Sequence, residues 1–399
     1  MFTFLCILFH LYHCAHGACV SKADCSYLGR CVLEECICNR GWYGIHCEQL
    51  NLTSSIHYPD DGYHDDSGLF TWDGSPIFDA VEQRFHVFIT ILTEHCHTNN
   101  WLSNSVIAHI ISDHDDPLGP YTFSDIALGY SNDTATINTQ WDALSVYTPI
   151  VLQDDHFEQT GIYYLFYVGT TMHDAVHPNC TDSPPSPTNA SLRDHQAIGY
   201  ATSKSLYGPW IRNEKNPVIT ARSSNDKLWD SAYVCNPFPV YLSNGSIAVI
   251  YKGIRRYDEK SDFEMNTGIA LIDHNKLKTN GSPWDGPYIR FDSYFNDPGN
   301  CEDGFFWEQV DGDGLSSYHM EYHCGCNAVH AHSIDLMHWT YGKQQPWCNV
   351  TLSNGTVLPL ERRERPAILF ESKRQVNASY IFTAVYPLQG PSFNLVQQL

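Results

Sequence analysis

From residue 51 onward the apolar positions fall in short runs of strand length, broken by Gly, Pro, Asn and Asp, with no sustained helical period. Five runs open on a turn residue: Ser75-Pro76-Ile77-Phe78, Thr148-Pro149-Ile150-Val151-Leu152, Asn236-Pro237-Phe238-Pro239-Val240, Asp303-Gly304-Phe305-Phe306-Trp307 and Arg365-Pro366-Ala367-Ile368-Leu369-Phe370. A second aromatic or β-branched strand follows each, at Phe85–Leu92, Tyr163–Val168, Ile247–Tyr251, Tyr318–Tyr322 and Tyr380–Tyr386. The first four units add a third strand, Val106–Ser112, Ala197–Ser203, Gly268–Ile272 and Ala328–Ser333. A Gly-Pro turn and an aromatic then start an outer strand at Gly119-Pro120-Tyr121, Gly208-Pro209-Trp210 and Gly286-Pro287-Tyr288, with His338-Trp339-Thr340 in the fourth unit.

Four strands per unit and five units predict an all-β chain: a five-bladed β-propeller over 56–399. A jelly roll or sandwich is the alternative, and it leaves the long repeat unexplained. The fifth unit runs out of chain after two strands, so residues near 56–70 are expected to lend it an outer strand and close the ring. The polar, Pro-rich stretch 173–195 reads as a surface loop of the second blade.

Composition narrows the function. In 399 residues, 45 acidic against 23 basic side chains give a net charge of −22, which speaks against nucleic-acid or anionic-membrane partners. Residues 1–17 form a short apolar run ending in small residues (Ala15, Gly17), read as a secretory signal peptide; as a membrane anchor the run is too short. No later segment reaches about 18 uninterrupted apolar residues, so no membrane span is expected. Nine Asn-x-Ser/Thr sequons, at Asn51, Asn132, Asn179, Asn189, Asn244, Asn280, Asn349, Asn354 and Asn377, fit secretion, with Asn280 handicapped by Pro283.

Cys19, Cys25, Cys31, Cys36, Cys38 and Cys47 crowd a segment too poor in apolar residues to build a core, so they read as its framework. The ending Cys36-Ile37-Cys38-Asn39-Arg40-Gly41-Trp42-Tyr43-Gly44-Ile45-His46-Cys47 resembles the epidermal-growth-factor-like module over residues 18–48. That resemblance implies the pairs Cys19–Cys31, Cys25–Cys36 and Cys38–Cys47, and offers a surface for a protein partner. A zinc knuckle is the alternative. No Asp/Asn-rich collar precedes Cys19, so no calcium site is expected there. Seven more cysteines (Cys96, Cys180, Cys235, Cys301, Cys324, Cys326, Cys348) leave at least one without a partner in the propeller.

In a propeller the openings of the innermost strands crowd one end of the central channel. Here they bring Asp73 and Ser75, Tyr147 and Thr148, Asp230 and Asn236, Glu302 and Asp303, and Arg363, Glu364 and Arg365. Carboxylates, amides and arginines, with Trp72, Tyr147, Tyr233 and Trp307 as stacking faces, are what a sugar site needs. Each aromatic taken singly fits core packing as well.

Residues ~60–390, read through the repeat, are similar to the family 43 glycoside hydrolases. The similarity rests on Ile198-Gly199-Tyr200-Ala201-Thr202-Ser203-Lys204-Ser205-Leu206-Tyr207-Gly208-Pro209-Trp210, on Asn236-Pro237 with Gly245–Lys252, and on Glu302–Trp307. It implies hydrolysis of arabinosides, xylosides or galactosides by an Asp base from blade one, an orienting Asp from blade three and a Glu acid from blade four. The acid carries over onto Glu302. The Asp-Pro positions read as Ser75-Pro76 and Asn236-Pro237, neither of which holds a negative charge, and Asp73, Asp79 or the acidic run Asp60-Asp61 and Asp65-Asp66 are the substitutes.

The expected catalytic set is therefore Glu302, Asn236 and Asp73, with Trp72, Tyr147, Tyr233, Asp303, Trp307, Arg363 and Arg365 for substrate binding. Arg362-Arg363-Glu364-Arg365 reads equally as an anion site or as a structural ion network. Cys324-Gly325-Cys326 with His330 and His332 could be a metal set, although disulfides are the stronger reading; no metal or cofactor is expected. A secreted glycosidase is the first functional expectation, an inactive lectin-like propeller the second, and a protein-interaction module the third.

Overall fold

The computed structural model describes residues 18–129, 140–171, 180, 195–223, 227–256, 263–273, 282–292, 295, 301–371 and 376–399. The leader, the sequons Asn132, Asn179, Asn189 and Asn280, and nearly all of the 173–195 stretch lie outside these residues.

Five antiparallel sheets form a five-bladed propeller. Blade one is Thr71–Asp79, Arg84–Leu92, Ser105–Ser112 and Tyr121–Leu128; blade two is Ser145–Gln153, Tyr163–Thr170, Ala197–Ser203 and Ile211–Arg212. Blade three is Tyr233–Tyr241, Ile247–Arg256, Phe263–Ile272 and Ile289–Arg290; blade four is Cys301–Val310, Ser316–Cys324, Asn327–Ser333 and Thr340–Tyr341. The second strands are largely buried because each is sandwiched between neighbouring blades: Tyr163–Thr170 is buried at every position, and that of blade four buries even His319, Glu321 and His323.

Blade five departs from expectation. The chain supplies three of its main strands, not two: Val357–Phe370, Ala378–Pro387 and Phe393–Gln398, the last of which sequence reading missed. Gly62–Tyr63 then pairs with Phe393–Gln398, Asn394 opposite Tyr63 and Leu395 opposite Gly62, so the two ends of the propeller meet in one sheet. An early segment thereby covers an edge that would otherwise stay unpaired.

The cysteine-rich segment carries the disulfides Cys19–Cys31, Cys25–Cys36 and Cys38–Cys47. It shares one apolar core with blades four and five, in which Trp42, Leu50 and Ile56 join Trp307, Trp347 and Ile381. Gln345 clamps the joint, accepting from the Leu50 N–H at 2.9 Å and donating to its carbonyl at 2.8 Å. Within the propeller Cys96–Cys180, Cys301–Cys324 and Cys326–Cys348 are bonded, so Cys324 and Cys326 are no metal ligands, and buried Cys235 is a free thiol.

Ring closure has a sensitive point. Gly62 sits at φ 122°, and a Cβ there would collide with the Asn394 carbonyl oxygen. Gly68, also at positive φ (78°), has open space around it. Gly62→Ala is therefore expected to cost at least ~2 kcal/mol in urea denaturation, clearly more than Gly68→Ala. Equal midpoints for the two variants would mean that this strand does not close the ring.

Candidate functional site

Each innermost strand breaks register at the same place: between Trp72 and Ser75, Tyr147 and Ile150, Cys235 and Phe238, Glu302 and Phe305, and Glu364 and Ala367. Inside each break one residue adopts positive φ: Asp73 (63°), Thr148 (57°), Asn236 (52°), Asp303 (61°) and Arg365 (57°). None is glycine, and Thr148 is β-branched, so each position stores roughly 1–3 kcal/mol of backbone strain. The bulges turn these five side chains toward the channel axis. The structural repeat is thus Asp73-Gly74, Thr148-Pro149, Asn236-Pro237, Asp303-Gly304 and Arg365-Pro366. Aligning blade one on Pro76 is two residues out, and Ser75 accepts a hydrogen bond from the Val151 N–H at 2.9 Å instead.

Around the axis Arg365 Nε lies 3.0 Å from Asp73 Oδ1 and 3.1 Å from Asp303 Oδ2, and Arg365 Nη2 donates to Asn236 Oδ1 at 3.1 Å. Asn236 Nδ2 donates to Asp303 Oδ1. The other Asp73 oxygen accepts from the Thr90 hydroxyl and from the Thr148 N–H. Four of the five bulge residues therefore form one continuous polar ring, and the fifth joins through its backbone.

Above this ring lies a cavity of about 210 Å³, lined by Trp72, Asp73, Trp101, Tyr147, Tyr233, Asn236, Lys252, Glu302, Asp303, Arg362, Glu364 and Arg365 among others. Trp72 carries the Arg362 guanidinium 4.8 Å from its ring centre, and Arg362 makes two parallel bonds to Glu364, at 2.7 and 2.9 Å. Trp101 meets Tyr147 edge-on at 5.1 Å, and the Tyr147 hydroxyl donates to Gln196 Oε1 at 2.6 Å.

Glu302 pairs with Lys252, and opposite it across the hairpin stands His323, with Nε2 3.6 Å from Glu302 and 3.7 Å from Glu364, and Nδ1 3.2 Å from Asp303. Burial pushes the Glu302 carboxyl up, but Lys252 and His323 outweigh it and hold it well below the usual range. Burial pushes Asp303 up, and the pull of Arg365 does not cancel the effect. For His323 burial works downward, yet the facing carboxylates, Asp303 foremost, raise it. The contacts of Glu302 thus favour its anion, while those of Asp303 and His323 shift both groups toward holding a proton.

Of the expected site residues, Trp72, Asp73, Tyr147, Tyr233, Asn236, Glu302, Asp303 and Arg365 line this one cavity. Trp307 does not: it is buried in the joint with the cysteine-rich segment, stacked on Trp42 at 5.8 Å. Arg363 points away, since strand neighbours alternate faces, and is buried against Trp347, donating to the Trp347 carbonyl and to Thr383 and Gln397. Lys252 and His323 were missed, while Arg362 and Glu364, read beforehand as part of an anion site or ion network, also line the cavity. The hairpin registers Cys235 opposite Lys252 and Glu302 opposite His323 are the signal that would have found these two. Ligating atoms of Asp303, His323 and Glu364 lie within 4.8 Å of one another. The raised imidazole and the Arg365 guanidinium already supply positive charge there, so the cluster reads as an ion network.

No family model and no curated protein matches the chain. Solved structures do match, and they share the propeller. Zg3597, a family 117 glycoside hydrolase of the marine bacterium Zobellia galactanivorans, superposes with a TM-score of 0.53 at 13% identity, covering 87% of this chain and 88% of that one. A second structure, described as a glycoside hydrolase, gives 0.54 at 13% identity over 84% and 89%. A third, BT0996 in an RGII complex, gives 0.54 at 14% over 85% and 89%. At such identities the likeness is one of fold.

Arg365→Gln leaves Asp73 and Asp303 buried without their shared counter-charge, for an expected loss of ~3–5 kcal/mol at pH 7. Asp303, already raised by burial, then takes up a proton on acidification, so the gap to the parent protein should narrow at pH 5. Urea denaturation at both pH values decides it; an equal loss at both would assign the guanidinium a packing role only.

Proposed function

We propose that the cavity is the active site of a glycoside hydrolase acting on arabinoside-, xyloside- or galactoside-type sugars by acid/base catalysis. The observation that carries this reading is the meeting of Asp73, Glu302, Asp303 and Glu364 in one pocket faced by Trp72, Trp101, Tyr147 and Tyr233. A space of about 210 Å³ is small beside the roughly 300–1,000 Å³ of drug-sized sites, which favours a single ring or a chain end over the middle of a polymer.

Asp73, held beside Arg365 and the Thr148 N–H, is placed to serve as the base. On the acid side Glu302 reaches furthest into the cavity, its side chain 25% exposed against 3% for His323 and for Asp303. Its proton is drawn from His323, and reprotonation follows the same route. Asn236 orients Asp303 and Arg365 and transfers nothing.

A second reading, sugar binding without turnover, draws on Arg365. One nitrogen within 3.1 Å of both Asp73 and Asp303 keeps their nearest oxygens at most about 6 Å apart, and neutralises them. Those two carboxyls are thus too close to be an inverting pair, which needs roughly 6.5–9.5 Å, and the charge that the first reading asks of Asp73 as base is already matched by Arg365.

The chain is read as secreted. Six disulfides and the surface positions of Asn244, Asn349 and Asn354, with Asn51 and Asn377 partly exposed, support that, as does the epidermal-growth-factor-like cysteine pattern. Protein made through a secretory pathway should lose mass on enzymatic deglycosylation; no loss would overturn this reading.

A glycan panel scored for binding and then for reducing-sugar release separates the functional readings. Hydrolysis by the parent protein that falls ~10²-fold in Glu302→Gln while binding survives supports the first. Binding without release, with Glu302→Gln altering affinity at most, supports the second. Equal cleavage by both proteins would place the acid elsewhere, and a blank panel would favour a protein-interaction role for the exposed face of the cysteine-rich segment.

A further inference from the structure

Six residues beyond Asp73 on the same inner strand, roughly 20 Å away at 3.3 Å per residue, a chain of polar side chains crosses blade one from edge to centre. It starts at Asp125 on the outer strand, whose Oδ2 lies 3.2 Å from Nδ1 of His109. His109 Nε2 lies 2.8 Å from Nδ1 of His86, the rings stacked at 17°. Both imidazoles are fully buried, and Phe88 stacks on His109 at 4.8 Å.

Hydrogen-bond logic fixes the protons. A carboxylate only accepts, so His109 donates from Nδ1 and, being neutral, keeps a lone pair on Nε2. That lone pair must accept from His86 Nδ1–H, which leaves His86 Nε2 as a bare lone pair. Nε2 is buried and has no hydrogen-bond partner among the described residues. It faces Glu82 Oε2 at 3.7 Å, and the ligating atoms of Asp79, Glu82 and His86 all lie within 4.8 Å of one another. A lone pair aimed at two carboxylates is repulsive unless a cation stands between them.

The carboxylates are held in place. Val81 and Glu82 N–H groups donate to one Asp79 oxygen at 2.7 and 3.1 Å, and the Tyr207 hydroxyl from blade two donates to Glu82 Oε2 at 2.7 Å.

We propose that Asp79, Glu82 and His86 bind one divalent transition-metal ion of the zinc or manganese class, with water completing its shell. One imidazole and two carboxylates suit such ions. His109 and Asp125 are positioning residues, fixing the tautomer that presents Nε2. The ion would tie the inner hairpin of blade one to Tyr207 of blade two, away from the sugar cavity, so the assignment stands or falls independently of glycosidase activity.

The test is calorimetric titration of Zn²⁺ into chelator-stripped full-length protein, disulfides intact and without a polyhistidine tag. One site is expected in the parent protein, lost in Glu82→Gln and in His86→Gln. Asp125→Asn, whose amide can donate to His109 and reverse the tautomers, should weaken it ~10–100-fold. Co²⁺ absorption provides a second readout, its ligand-field band vanishing in His86→Gln. Because Glu82 is exposed, its variant should keep the metal-free melting temperature, separating lost binding from lost fold. No binding by the parent protein, or undiminished binding by Glu82→Gln, overturns the site. Undiminished binding by Asp125→Asn overturns the relay.

Discussion

The guanidinium of Arg365 is the interaction on which the axis of this propeller depends. Five strands bring their bulges to one point, and four of the side chains delivered there are two carboxylates, an amide and a guanidinium. Buried like charges repel strongly at low dielectric, so Asp73 and Asp303 can share the axis only with a cation between them. A planar fork with several donors reaches both acids and Asn236 at once, which a lysine ammonium on a flexible stem would do less well. The strained bulges persist because this network over-determines them. The floor of the cavity is thus set by ion pairing that blade five supplies to blades one, three and four.

On that floor stands a second layer of alternating charge: Lys252 with Glu302, His323 beneath Glu302, Asp303 and Glu364, and Glu364 with Arg362. Cations and anions almost balance, so the pocket offers directional polar contacts without a strong net field. Such a site suits hydroxyl groups, which donate and accept, better than it suits a free ion. The same balance constrains proton transfer. The carboxylate that reaches the cavity is the one stabilised as an anion, while protons are favoured on the groups behind it. The charge states of Glu302 and His323 are therefore tied to each other.

The repeat was legible because each blade uses the same local signals in the same order: a turn residue, an apolar strand, a second buried strand and a Gly-Pro start to the outer one. Where one signal was doubled, the reading slipped. Blade one has both Asp73-Gly74 and Ser75-Pro76, and proline is the louder mark although the bulge falls at the glycine. The strand Phe393–Gln398 was missed because Asn394, Gln397 and Gln398 interrupt its apolar run; the structure buries the first two through bonds to the Asp73 carbonyl, to Arg363 and to Leu52 and Ser54. Site residues on inner strands could be inferred from the repeat. Lys252 and His323, on second strands, needed a register across a bulge that shifts the pairing. Trp307 and Arg363 failed for simpler reasons: Trp307 lies beyond the bulge, further along its strand than the cavity, and Arg363 faces away from its cavity-lining neighbours Arg362 and Glu364.

The core that takes up Trp307 explains the place of the cysteine-rich segment. Trp307 on blade four and Trp347 beside blade five share their core with Trp42 and Leu50, and Trp42 stacks directly on Trp307. The contact is aromatic but not wholly apolar: His319 stacks on Trp307 at 5.0 Å, and His330 lies against both Trp307 and Trp42. Burial lowers the proton affinity of His319 and His330 far below the ordinary imidazole range, so they act here as flat neutral rings. Flat rings let a small, disulfide-framed segment with few large side chains match a propeller face over a wide contact. The disulfides hold its local shape, while the apolar core it needs comes from its neighbour. Such a segment is better described as a sixth wall of the propeller than as a tethered module, and its joint leaves the cavity end of the channel open.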